Sequence, residues 1–135
     1  MNNKQSHLEM VQNIINRLSQ NSFLLKGWSV LLVSALCALS QGTLNPVFML
    51  LALFPVIAFW FLDSYFLRQE RLFRKLYDRV RIMKEEHVDF SMNTTIVEAK
   101  VDTTFKIFSS KTMLAFHGVV FLSIIIAMSL FIFFK

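Results

Sequence analysis

Between Gly27 and Leu62 the chain carries no charged side chain, an uncharged run of 36 residues. One membrane crossing needs about 20 apolar residues to cover a hydrocarbon core of ~30 Å, so the run is too long for one span and about right for two. Its middle, Gln41-Gly42-Thr43-Leu44-Asn45-Pro46, gathers amides, glycine and proline, which favour a turn in the interface. The spacing predicts a helical hairpin, with a first arm from about Ser22 to Ser40 and a second from Pro46 to Tyr65. Pro46 suits a first helical turn, where the N–H it lacks would have no helical acceptor. Pro55 falls mid-span and is expected to kink the second arm.

A second uncharged run, Thr112 to Phe134, spans 23 residues rich in Ile, Leu, Phe and Val and predicts a third crossing. Ser109 and Ser110 stand where they can cap it, and Lys111 can anchor it at the interface. Composition agrees: 55% of the 135 residues are hydrophobic and 17% are charged, against about 25% charged in a soluble domain. With three Gly and two Pro there is little material for the turns of a β fold. The single cysteine, Cys37, leaves no intrachain disulfide framework or cysteine-rich metal site. Ser34-Ala35-Leu36-Cys37 lacks the aliphatic and small residues expected at a lipoprotein cleavage site. The polar stretch Asn2 to Ser22 is unlike a signal peptide.

Orientation follows from charge. Arg68 to Lys84 carries seven basic residues, with Arg68, Arg71, Arg74, Lys75, Arg79 and Arg81 forming a basic face, against two acidic ones, Glu70 and Asp78. This surplus of five equals the formal net charge of the chain, +5. The hairpin turn has no charge, so the positive-inside rule places residues 66–111 and the N-terminus in the cytoplasm and the C-terminus outside. Topology accounts for the basic block without a nucleic-acid partner.

Residues 62–86 read as a helical continuation of the second span. Leu72, Leu76, Val80 and Met83 recur at helical spacing, while Glu70, Arg74 and Asp78 sit four apart on a charged face. The apolar stripe needs a partner: either the N-terminal stripe Leu8, Val11, Ile15 and Leu18, or lipid headgroups. Farther on the period changes. Val88, Phe90 and Met92 alternate with Asp89, Ser91 and Asn93, and Val97, Ala99 and Val101 with Glu98, Lys100 and Asp102, which predicts extended chain or a short β-hairpin turning near Asn93-Thr94.

The expected architecture is thus an all-α membrane protein of three transmembrane helices, with a long cytoplasmic extension of the second and a short extended or β segment before the third. Its parts are a cytoplasmic amphipathic segment (1–22), a transmembrane hairpin (23–66), a basic cytoplasmic helix with the extended segment (67–111) and a third transmembrane helix (112–135).

Three ionisable residues fall at intramembrane positions: Lys26, Asp63 and His117. Asp63 lies at the cytoplasmic end of the second span, and an ionised carboxylate at the membrane centre costs roughly 3 kcal/mol on insertion scales. Counted outward from the turn, Lys26 lies about as far back as Asp63 lies forward, so an antiparallel hairpin brings them to one depth as a neutralising pair. The alternatives for Asp63 are simple snorkelling to the interface and a proton or ion site. His117, about one turn into the third span, either bonds a neighbouring helix, reaches the interface, or serves as a pH switch or pore lining. His7 and His87 have no ligand-spaced companion, so no metal or other cofactor is expected. No nucleophile motif, glycine-rich phosphate loop, HExxH or CxxC occurs, and catalysis would require Ser, His and Asp to converge across subunits. The Phe54 to Phe66 stretch reads as lipid-facing packing and an interfacial belt.

Gly27-Trp28-Ser29-Val30, Phe54-Pro55, the string from Phe59 through Trp60, Asp63, Tyr65 and Arg68 to Tyr77, and Ser109-Ser110-Lys111-Thr112 followed by Phe116-His117-Gly118 resemble the RipA family of small octameric bacterial membrane proteins. The resemblance covers most of the chain after about Phe23. It implies a bacterial inner (cytoplasmic) membrane and a ring-like homo-oligomer, an octamer, but supplies no molecular activity. The expected function is a non-enzymatic, homo-oligomeric scaffold or interaction module acting through its cytoplasmic helices, with the lipid bilayer and its own copies as partners. The competing expectation is a channel or membrane-perturbing effector in defence or stress, gated through its cytoplasmic part by an unidentified protein or small molecule.

Overall fold

A computed structural model describes residues 2–40 and 46–133. Among these, all regular structure is helical: α1 (Asn3–Ser40), α2 (Pro46–Ile82), two 3-10 helices (Glu85–His87 and Thr95–Lys100), α3 (Thr104–Phe108) and a third long helix, α4, over residues 111–133. α4 opens with a turn Lys111–Met113, passes through a π-helical turn at Leu114–Gly118 and runs on as Val119–Phe133. α1, α2 and α4 are each long and apolar enough to cross a membrane. The expected turn at 41–45 lies outside the described residues; Pro46 opens α2 and Pro55 lies within it.

At 1.5 Å per residue, the 38 residues of α1 and 37 of α2 each extend about 55 Å, whereas the hydrocarbon core is ~30 Å thick. Nearly half of each helix therefore stands outside the membrane. The two run antiparallel and pack through two cores. Toward the water, buried Val11 and Ile15 of α1 meet Leu76 and Val80 of α2, with Leu8, Phe73, Tyr77, Met83 and Met92 around them. The N-terminal stripe is thus the partner of the α2 stripe. Toward the lipid, Ala52 and Val56 of α2 meet Ile124 of α4, flanked by Val33 and Leu36 of α1. In the membrane segments the outward apolar faces are open to lipid, as at Phe54 and Leu31.

Local chemistry fixes the ends. Asn2 Oδ1 accepts from Gln5 N at 2.8 Å and caps α1. Lys4 Nζ donates to Met83 O at 2.9 Å just past the end of α2, and Lys4 N donates to Glu85 Oε1 at 3.3 Å, so each helix end receives a group of opposite charge. Thr103 caps α3 and Ser110 caps α4, the latter accepting from Met113 N at 3.5 Å.

The extended or β segment expected before the third span is corrected: the described residues contain no strand or sheet. Residues 88–94 have no regular structure, and Thr95–Lys100 is a 3-10 helix. The polar half of the alternation explains why. Asp89 Oδ1 accepts from Ser91 N (3.0 Å), Ser91 Oγ from Asn93 N (3.3 Å) and Asn93 Oδ1 from Thr95 N (3.0 Å). Each side chain takes the N–H two residues on, a run of local turns that uses up the donors a strand would give to a neighbour. Phe90, at φ 56°, sits in the left-handed region and turns the chain sharply.

This segment lies back on the hairpin. Buried His7 meets Ser91 O through Nε2 at 3.1 Å and the Phe90 ring at 5.5 Å between centroids. Arg68 clamps the other end: Nη2 donates to Glu98 Oε1 at 2.8 Å and Nε to Asp102 O at 3.1 Å. Val97, 1% exposed, anchors the 3-10 helix between them.

Candidate functional site

Where the three long helices meet, a polar cluster is enclosed. Ser22 and Lys26, four apart in α1, share a face; Asp63 comes from α2 and His117 from the π-helical turn of α4. Asp63 Oδ2 accepts from Lys26 Nζ at 2.5 Å and from His117 Nε2 at 2.7 Å. Oδ1 accepts from the Ser22 hydroxyl, which itself accepts from Lys26 Nζ at 2.9 Å. Asp63 and His117 are fully buried, and the Lys26 side chain is 25% exposed.

An ionised carboxylate only accepts, so this geometry places a proton on His117 Nε2. The Lys26 and Asp63 charges pair directly, so neither is left without an opposite charge among the three helices. His117 Nδ1 and Ser29 Oγ are buried polar atoms that find no hydrogen-bond partner among the described residues.

Trp60 supports the cluster from one turn earlier in α2. Its Nε1 donates to Phe108 O at 3.0 Å, and its ring stacks on Phe108 at 4.3 Å and on His117 at 5.9 Å. This indole faces inward and fixes both the end of α3 and the imidazole plane, whereas Phe54 of the same stretch is 78% exposed, as lipid-facing packing requires. Ser64, also buried, turns its hydroxyl back to Trp60 O at 2.8 Å. The Phe116 ring lies 6.0 Å from Lys26 Nζ, within cation–π range.

The structure therefore brings Lys26, Asp63 and His117 together. Sequence reasoning missed Ser22 and the inward role of Trp60; the only signal for Ser22 is its spacing four before Lys26. Nothing in the sequence marks the π-helical turn, which inserts an extra residue per turn and sets the His117 ring against Asp63.

The basic face lies on the water-side half of α2. Arg68 is the clamp described above; Arg74 pairs with Glu70 at 2.8 Å, and Asp78 lies 3.9 Å from Arg81 rather than joining Arg74. Lys75 and Arg79 are exposed and Arg71 is half-buried. Among the described residues no group of three or more His, Cys, Asp or Glu is arranged to hold a metal. The chain has no match among protein-family models, curated proteins or solved structures.

Proposed function

We propose that this helical membrane protein is a non-enzymatic, homo-oligomeric scaffold: its membrane hairpin holds a rigid platform in the cytoplasm through which copies assemble and other molecules are engaged. The observation that carries this reading is the unbroken passage of α1 and α2 out of the membrane into a second core, Val11, Ile15, Leu76 and Val80, braced by the returning segment. An anchor alone needs no such extension. The platform also leaves large apolar side chains uncovered, Ile82 at 79% and Ile96 at 50% exposed, outside the span where lipid would cover them. Membership of the RipA family, a bacterial inner membrane, an N-terminus in the cytoplasm and a ring of copies belong to the same proposal. Protein extracted in native lipid discs should give one discrete multimeric mass, reduced by Ile82→Glu/Ile96→Glu; a monomer for the unaltered chain would end the scaffold reading.

One observation favours a second reading, a channel or membrane-perturbing effector. A buried carboxylate, ammonium and imidazole meet at a π-helical turn, and such turns occur often at functional sites. Ion flux through proteoliposomes that changes in Asp63→Asn or His117→Ala would support it. Flux absent from the unaltered protein would leave the cluster a structural one.

A further inference from the structure

Two adjoining cavities of about 330 and 510 Å³ lie along the water-side half of α2, where the 3-10 helix Thr95–Lys100 folds over it. They share Lys75, Asp78 and Lys100 as walls. Arg71 and Arg74 line the smaller and Arg79 the larger, so five basic side chains face two carboxylates, Asp78 and Asp102. Much of the available counter-charge is committed elsewhere: Asp102 is paired with Lys106 at 2.7 Å, and Asp78 reaches toward Arg81. Of the five cations Arg74 alone has an ion pair among the described residues, to Glu70.

Arg71, Lys75 and Arg79 stand at intervals of four, on one helix face, in a row about 12 Å long. Like charges at this spacing repel and destabilise a helix by about 0.2–0.5 kcal/mol per pair. Lys100 is held opposite the row by the two Arg68 hydrogen bonds that flank it, to Glu98 and to the carbonyl of Asp102. The positive-inside rule explains why basic residues are cytoplasmic; it does not require them to line one groove closed by a pinned segment.

From this we infer that the groove between α2 and residues 95–102 binds a ligand bearing several phosphoryl groups. Its charge surplus suits a polyanion, and its volume is that of a small-molecule site. No aromatic ring lines either cavity among the described residues, so the stacking platform of a single-stranded nucleic-acid site is lacking. A soluble polyphosphate and an anionic lipid headgroup offer the same chemistry.

The test uses the full chain in phosphatidylcholine nanodiscs and isothermal titration with inorganic tripolyphosphate. Saturable binding is expected, weakened at least about tenfold in Lys75→Gln/Lys100→Gln, since each loses a charge-assisted hydrogen bond. Arg17→Gln, at an exposed position of α1 outside the groove, should leave it unchanged, and circular dichroism checks that both variants keep their helices. In a second arm, native mass spectrometry follows retention of phosphatidylglycerol. Retention by the unaltered protein but not by the double variant, without tripolyphosphate binding, assigns the phosphoryl groups to lipid. The inference is overturned if neither probe binds, if Arg17→Gln weakens binding as much as the double variant, or if a decaglutamate peptide competes as well as tripolyphosphate.

Discussion

His117 Nε2 lies 2.7 Å from Asp63 Oδ2, a buried bond that ties the second and third membrane helices together across 54 residues of sequence. Lys26 completes the arrangement from the first helix, so one carboxylate joins all three. Removing one member of a buried ion pair costs about 3–5 kcal/mol because the other charge is left without compensation. Asp63→Asn should fall near the lower end of that range, because Lys26 retains some solvent access. Lys26→Met/Asp63→Leu, which removes both charges, should lose less than the two single variants combined. Chemical denaturation in bicelles measures this coupling, and strictly additive losses would show that the two charges do not stabilise one another.

The water-side core should behave as a separate cooperative unit. Leu76 is 2% exposed, and truncating a buried leucine to alanine costs about 2–5 kcal/mol. In Leu76→Ala, hydrogen exchange should accelerate over residues 8–15 and 73–83 while the apolar segment around Val56 and Ile124 keeps its protection. Equal acceleration in both regions would mean that the hairpin opens only as a whole.

These two cores differ in how far they could be read from sequence. Val11 and Ile15 lie four apart, as do Leu76 and Val80, and this period survives because helix packing is what they do; the stripe on one arm offered two partners, the other arm or lipid headgroups, and the packing selects the other arm. The Lys26–Asp63 pair was legible for a related reason, since an antiparallel hairpin converts equal distance from the turn into equal depth. Alternation at 88–92 misled because period two is the signature of a strand only when backbone donors are free. Here Asp89, Ser91 and Asn93 consume them locally, a competition that hydropathy does not register. His117 was visible as an ionisable group in a span, but its partner was not: that contact depends on a π-helical turn and on the fold of residues 83–110, neither of which has a periodic signal.

Arg68 makes a further distinction between local and global stability. Its pair with Glu98, whose side chain is 56% exposed, is worth about 0.2–1 kcal/mol at most, and its bond to Asp102 O adds an increment of similar size. Arg68→Ala should therefore leave the overall unfolding midpoint nearly unchanged yet release residues 95–102, giving faster exchange and new proteolytic cuts there. Unchanged protection of this segment would mean that Val97 alone holds it.

Contacts between Lys4 and residues 83 and 85 require the start of α1 and the end of α2 to share one side of the membrane, independently of any charge rule. In the proposed orientation that side is the cytoplasm. In a Cys37→Ser background, exposed Gln12→Cys and exposed Glu98→Cys should both resist a membrane-impermeant maleimide in intact cells and both react once the membrane is opened. The two halves of the prediction separate cleanly. Labelling of both in intact cells would reverse the orientation and leave the hairpin intact, whereas labelling of only one would contradict the antiparallel pairing of α1 and α2 itself.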